Sequence, residues 1–442
     1  METLIQNVWT KSKLLIKGFI IAVLVLLLQI PAYYVKELIA ERENRQKEAI
    51  TEVSSKWAGK QNISGPVLVL PHWQNDADSS RNKSKHYAYF LPDEVNIKAQ
   101  VSPIEKYRGI YKVMLYTVKL NVSGAFKYVQ LEKLKIPAAN ILWNEAFVRV
   151  DVSDIKGLND ELKLNWNDEM LILSPQNLDP HSNEGLYAPV HLTSLEDLKN
   201  IHFSTEMNLN GSGQLLFTPT GKSTTVQLHS HWPHPSFNGV ILPQTTQVND
   251  SGFNASWRSL AHKRSFPQQW KDDDFTTSLS ATTISASNIA TAAFGVDLFV
   301  PVNGYQKTMR SIKYAALCIL LTFAAFFLIE TTHKKSVHPF QYGLIGLALI
   351  LFYTLLLSFS EYIGFNFSYV IASVFTIGLF AWFIKGVLSS SRLTSILSIV
   401  LVLLYLYVFT ILQLQDYSLL LGSMGLFITL AIIMHFSRKI QW

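Results

Sequence analysis

The chain has 442 residues, of which 49% are hydrophobic and only 16% are charged, and its net charge is +6. Its 38 basic and 32 acidic residues are unevenly placed, because only ten of them lie after residue 310. A segment that poor in charge cannot keep a surface facing water. These features exclude a simple cytosolic enzyme. The single cysteine, Cys318, excludes an intrachain disulfide, a cysteine-based zinc site and an iron–sulfur cluster.

Six apolar runs are close in length to the roughly 20 helical residues that span a bilayer, or are long enough once flanking lysines are included. In chain order they are Gly18–Val35, Tyr314–Ile329, Gln341–Phe359, Phe367–Ile384, Leu393–Leu412 and Leu419–Phe436. The first has the basic flank and apolar core of a signal peptide. Because it continues to Val35 and is followed by no small-x-small cleavage site, we predict an uncleaved signal anchor.

The short connections between these runs alternate in basic charge. Basic residues precede the first run and occupy every second connection and the tail: Lys11, Lys13, Lys17, Lys334, Lys335, Lys385, Arg392, Arg438 and Lys439. The alternate connections, 360–366 and 413–418, have no Lys or Arg. Since such residues stay on the cytoplasmic side, we predict that both termini are cytoplasmic and that residues 36–308 lie outside. The positive charge therefore marks membrane orientation and not nucleic-acid binding.

The pattern predicts four regions: 1–35 with the signal anchor, 36–60 as a juxtamembrane amphipathic helix, 61–308 as a β-rich domain, and 309–442 as five transmembrane helices. In the β-rich region, short runs alternate in polarity, and one of them places Val118, Leu120 and Val122 on one face of a strand. We predict a mainly antiparallel domain, with a hairpin turn at Asn208–Gln214. One sandwich, an open barrel and two subdomains split near Ser174–Pro189 all remain open.

Three histidines form the densest cluster of possible metal ligands. On a strand, His229 and His231 point to the same face, and His234 follows Pro233 closely enough to join them. Short patterns of this kind are common by chance, and no carboxylate lies within the cluster. A strand end that leads into a rigid turn and packs Trp232 and Phe237 is the simpler interpretation.

The predicted spans contain few ionisable residues near their centres, which disfavours an ion or solute carrier. Glu330, Glu361 and Asp416 fall at predicted helix ends, where we expect water to be close.

The stretch from Ser230 to Gly239, with the residues that follow it, resembles the CreD family of bacterial inner-membrane proteins. The matching blocks are Ser230–Gly239, Leu242-Pro243, Ser251–Trp257, Lys313-Tyr314-Ala315, Leu321–Phe327, Glu330-Thr331, His338-Pro339, Gln341-Tyr342, Leu355–Glu361 and Leu419–Gly422. The resemblance implies an inner-membrane location, a periplasmic domain, a role in envelope integrity, and expression under a two-component system tied to carbon source and wall stress. It implies a motif surface at Trp232, Pro233, His234, Pro235, Ser236 and Phe237, and no catalytic residues.

These observations favour a non-enzymatic envelope protein without a cofactor, which contacts membrane lipids and works through envelope proteins or peptidoglycan. The alternatives are a transporter or lipid-handling protein whose outer domain receives cargo, and a hydrolase that uses a metal bound by the three histidines.

Overall fold

The computed structural model describes residues 16–75, 83–176, 178, 185–272, 289–298, 304–333, 337–414 and 418–437. The chain divides into two compact units, a helical unit of Met1–Glu48 and Val302–Trp442 and a β domain of Ala49–Pro301. Seven charged residues used to predict the topology lie outside the described residues: Lys11, Lys13, Lys334, Lys335, Asp416, Arg438 and Lys439.

Seven α-helices occur in the described part of the chain. They are α1 (Ile16–Trp57), α2 (Gly304–Lys313), α3 (Ala315–Thr332), α4 (Pro339–Ile363), α5 (Phe365–Leu388), α6 (Ser391–Gln413) and α7 (Ser418–Ser437). Five of them, α1 and α3 to α6, are long and apolar enough to cross a membrane. A helix also forms at the sixth predicted span, but α7 is not among those five, so the number six is not confirmed.

Sixteen β-strands occur in the described part of the β domain. They are β1 (Gln61–Asn75), β2 (Lys83–Phe90), β3 (Glu94–Arg108), β4 (Tyr111–Tyr128), β5 (Phe147–Val152), β6 (Leu162–Trp166), β7 (Glu169–Leu173), β8 (Leu186–Pro189), β9 (Lys199–Ser212), β10 (Gln214–Phe217), β11 (Ser223–Ser230), β12 (Pro235–Gly239), β13 (Thr245–Asn249), β14 (Gly252–Leu260), β15 (Gln269–Lys271) and β16 (Phe294–Leu298).

These strands form two eight-stranded sheets. Sheet one has the order β12-β16-β10-β1-β2-β15, with β5 and β8 joined to β1, and sheet two has the order β13-β14-β11-β3-β4-β9-β6-β7. Most neighbours are antiparallel, as predicted, but β1 pairs with β10 and β3 pairs with β11 in parallel. Each sheet therefore mixes antiparallel and parallel strand pairs. The parallel pairs join strands that are distant in sequence and have no hairpin between them.

One hydrophobic core is shared by both sheets and includes Leu68 of β1, Phe217 of β10 and Val118 of β4. Sheet one also buries its second face, where Val69, Tyr89 and Trp270 belong to another apolar cluster. This explains the continuous apolar sequence of β1, since a strand covered on both faces has no side that prefers polar residues. In sheet two only one face is covered by this core.

The predicted hairpin at Asn208–Gln214 is wrong. The turn exists, with Gly213 at a φ of +70° that suits glycine, but β9 belongs to sheet two and β10 to sheet one. The turn therefore carries the chain between sheets, and β10 pairs with β1 and β16 instead.

Candidate functional site

The exposed surface of sheet two is a polar, concave face that borders an open cavity of about 600 Å³. Alternation produces it: in β3 the side chains of Val95, Ile97 and Ala99 are buried, whereas those of Lys98 and Gln100 are exposed. We define the polar face by the side chains that line this cavity from six strands, namely Thr245, Gln247, Asn254, Ser256, Gln227, His229, Lys98, Gln100, Lys119, Asn121 and Glu206.

The strand register arranges the polar face in two rows that run across the strands. One row contains Gln247, Asn254, His229, Gln100 and Lys119 as successive partners. The neighbouring row contains Thr245, Ser256, Gln227, Lys98, Asn121 and Glu206. Adjacent strands lie about 4.8 Å apart, so hydrogen-bonding groups follow one another at short intervals along each row.

The two ends of the polar face differ in their internal hydrogen bonding. At the β14 end, Nδ1 of His229 lies 2.7 Å from Oδ1 of Asn254, and the hydroxyls of Thr245 and Ser256 are 2.6 Å apart. Toward β4 and β9 the side chains have no hydrogen-bond partner within the described ranges: Lys98, Gln100, Lys119, Asn121 and Glu206. Two ammonium groups, two amides and one carboxylate are thus available to a ligand.

The histidine cluster is divided between two surroundings. The rings of His229 and His231 have centroids 5.1 Å apart, whereas the ring of His234 lies 6.1 Å from that of Trp232. In the part of the chain that the structure describes, no group of three His, Cys, Asp or Glu residues is placed to hold a metal ion. His229 instead contributes an imidazole to the polar face.

A second polar group, which the sequence did not indicate, lies on sheet one. Nδ1 of His86 is 2.8 Å from Oδ2 of Asp272, and Nε2 of His86 is 2.8 Å from Oγ of Ser84. The other oxygen of Asp272 accepts a hydrogen bond from the backbone N–H of Tyr87, 3.0 Å away. Hydroxyl, imidazole and carboxylate follow one another as in a nucleophilic triad. Because Ser84 lies within a regular strand and Asp272 also binds the backbone, these contacts clamp β2 to the residue that follows β15.

The chain is similar to a known family of membrane proteins along almost its whole length. Residues 13–442 match the family model described as inner membrane protein CreD. The inner membrane protein CreD of Escherichia coli (strain K12) is 30% identical over 423 residues, which cover 95% of this chain and 91% of that protein. The chain belongs to the CreD family. It is therefore an inner-membrane protein, in agreement with its apolar helices.

Among solved structures, an M1 zinc metallopeptidase mutant from Deinococcus radiodurans, crystallised with a peptide substrate, is similar over 38% of this chain and 39% of that chain. Its sequence identity is 10% and the TM-score is 0.19, which is too low to inform either fold or function.

The motif that carries the CreD resemblance is only partly a surface. Trp232 is buried, which corrects its prediction as a surface residue; its indole N–H donates to the carbonyl oxygen of His234 at 3.0 Å. Phe237 is half-buried, with its ring centroid 5.7 Å from those of Phe253 and Trp257. His234 and Ser236 are exposed, and Pro233 and Pro235 are half-buried. The motif therefore connects β11 of sheet two to β12 of sheet one through aromatic packing.

In the helical unit of this CreD protein, Glu330 is buried. This corrects the expectation that water lies close to it. Its carboxylate pairs with the ammonium group of Lys17 and accepts hydrogen bonds from the Val337 N–H, at 2.8 Å, and the Tyr342 hydroxyl, at 2.7 Å. These contacts connect the start of α1 to the end of α3 and the start of α4. A charge at this depth is tolerated because each carboxylate oxygen has a donor.

An apolar cavity of about 430 Å³ also lies in the helical unit, between α1 and α3. It is lined by Gly18, Ile21, Ala22, Val25 and Leu26 of α1 and by Leu320, Phe323, Ala324 and Phe327 of α3. Its lining is apolar and it is open on one side, where Leu26 and Leu320 are exposed, so hydrocarbon is the occupant that matches it.

Proposed function

We propose that this CreD-family protein maintains the cell envelope as a non-enzymatic membrane protein, and that its β domain binds an envelope component on the periplasmic side. The observation that carries the proposal is the polar face. Within the described residues it offers a concave surface on which polar side chains from six strands converge and can form hydrogen bonds with a ligand. The proposed partners are envelope proteins or peptidoglycan, together with the lipids around the helices.

The proposed orientation rests on the basic residues of the short connections. The Lys17–Glu330 pair supports it, because it brings together two helix ends that the charge pattern assigns to the cytoplasmic side. A test uses cysteine labelling, which the chain allows because its single cysteine, Cys318, is buried. Lys133→Cys, at an exposed site of the β domain, should react with an impermeant maleimide in cells whose outer membrane alone has been opened. Reaction only after inner-membrane lysis would refute the orientation.

Photo-crosslinking in cells tests the binding role. A photoreactive amino acid replaces Gln227 on the polar face, and the matched control replaces Lys133, which is exposed but outside that face. We expect Gln227 to capture a specific wall fragment or envelope protein that the control does not. Equal capture at both positions would refute the proposal.

We also propose expression under a two-component system, which should raise transcript levels when wall synthesis is inhibited.

The apolar cavity supports a second candidate function, lipid handling or transport. Because its lining is entirely apolar, an acyl chain is the matching occupant. Ala324→Trp would fill the cavity, and native mass spectrometry of the detergent-purified protein should then show less copurified lipid than for the wild type. Unchanged lipid content would count against this candidate.

A further inference from the structure

The two rows of the polar face have a chemical composition that limits the ligand. Neutral amides and hydroxyls make up most of them, and the charged members are Lys98, Lys119 and Glu206. Aliphatic side chains contribute little, because the strands of sheet two turn their apolar residues to the core. A ligand that fits this surface must carry many hydroxyl or amide groups, and an acyl chain would leave those polar groups without partners.

The sheet disfavours an extended peptide across the middle of this surface, because among the described strands that form the polar face only β13, at one end, has a free edge. Peptides that bind sheets pair with a free strand edge, and they place side chains into pockets. The strands in the middle of the polar face, β11, β3 and β4, have sheet neighbours on both sides, so their backbone groups are already paired. Recognition there depends on side chains alone.

The size and direction of the rows indicate a chain-like ligand. Each row crosses five or six strands, and at about 4.8 Å per strand the longer row extends over roughly 24 Å. A single sugar or amino acid would leave most of these groups unused. A polymer that crosses the strands would meet a new polar side chain at each strand.

The charges indicate separate negative groups on the ligand and not a continuous polyanion. Lys98 and Lys119 lie on neighbouring strands in adjacent rows, which places them diagonally, roughly 7–8 Å apart. Neither has an ion-pair partner among the described residues. Glu206 is the next residue after Asn121 in the row of Lys98, and it would repel a backbone with a phosphate on every unit.

We infer that the polar face binds an acidic glycan, a chain of several sugar units with carboxylates at intervals, between the amides and the two lysines. This inference rests on the proposed function and names its ligand. Sugar hydroxyls and acetamido groups would meet Gln100, Asn121 and Gln227, and a carboxylate would lie between Lys98 and Lys119.

Titration calorimetry on the full-length protein in detergent tests the inference. One probe is peptide-free wall glycan, in which N-acetylglucosamine alternates with the carboxylate-bearing N-acetylmuramic acid. The second is the neutral hexamer of N-acetylglucosamine. We expect the acidic glycan to bind about tenfold more tightly, since it adds hydrogen bonds between charged groups. The double substitution Lys98→Gln/Lys119→Gln should abolish this preference, whereas Lys133→Gln, outside the face, should retain it.

Three results would overturn the inference: the wild type binds neither glycan, the wild type binds both glycans equally tightly, or the preference survives in the Lys98→Gln/Lys119→Gln variant. The crosslinking experiment separates this failure from that of the proposed function. If Gln227 captures an envelope protein while the purified protein ignores both glycans, the binding role stands and the ligand class is wrong. If position 227 captures nothing beyond the Lys133 control, the binding role itself fails.

Discussion

The Lys17–Glu330 pair should contribute strongly to the stability of the helical unit, and a double-mutant cycle can measure its contribution. Lys17→Met removes the only side-chain cation that pairs with Glu330 within the described residues. The carboxylate stays buried at 6% exposure, with the Val337 N–H and the Tyr342 hydroxyl as its remaining donors. Breaking a buried pair from one side costs about 3–5 kcal/mol. Because the Lys17 side chain is 20% exposed, we expect the lower end, about 3 kcal/mol.

Reversible unfolding of the purified protein in mixed micelles, with increasing denaturing detergent, measures this loss. Lys36→Met is the matched control, because Lys36 is an exposed residue of the same helix, α1. Glu330→Gln should cost less than Lys17→Met, since the amide keeps an acceptor for Val337 and leaves no uncompensated negative charge. The double variant Lys17→Met/Glu330→Gln should lose clearly less stability than the sum of the losses in the two single variants. Additivity within about 0.5 kcal/mol would refute an energetic coupling between the two residues.

Three further predictions concern the β domain, each measured as the free energy of unfolding. Phe237→Ala should destabilise it by about 2 kcal/mol, because it removes half-buried aromatic packing, whereas exposed His234→Ala should change stability by less than about 0.5 kcal/mol. Gly124→Ala should cost more than about 2 kcal/mol, because a Cβ there would lie 2.0 Å from the Glu94 carbonyl oxygen; a stable variant would show that β3 and β4 can separate. Burial lowers the pKa of His72, so the unfolded chain binds a proton more readily than the folded chain does. The free energy of unfolding should therefore be highest above pH 6.5 and should decrease as the pH falls below this value. His72→Gln should weaken this pH dependence.

The elements of this fold could be predicted from the sequence because they depend on local periodicity. Val118, Leu120 and Val122 all turn to the core as their alternation in β4 predicted. The apolar helices were predicted from composition over about 20 residues, which is equally local. The sheet connections were not predictable in this way. The turn at Gly213 has the composition of a hairpin turn, but whether β10 follows β9 or crosses to β1 depends on contacts with residues about 150 positions away.

The candidate site was largely missed for a similar reason. Of its residues only His229 was singled out, and as a metal ligand. Lys98, Lys119 and Glu206 follow the alternation of an ordinary solvated strand face, and nothing local separates a binding face from a bare one. They become neighbours only through the β3–β4 and β4–β9 registers. The burial of Glu330 escaped prediction because its partner, Lys17, lies 313 residues earlier in the sequence.

The position of the CreD motif indicates that its aromatic residues stabilise the fold and do not contact a ligand. Trp232 and Phe237 pack where the chain passes from β11 in sheet two to β12 in sheet one. A change there would disturb both sheets, so these residues are constrained by the fold whatever the domain binds. A side chain that meets a ligand must instead remain exposed, as Lys98 and Lys119 are on the polar face. The aromatic residues of the motif therefore maintain the fold. Substitutions outside the motif, on the surface of sheet two, are the ones that can reveal the ligand.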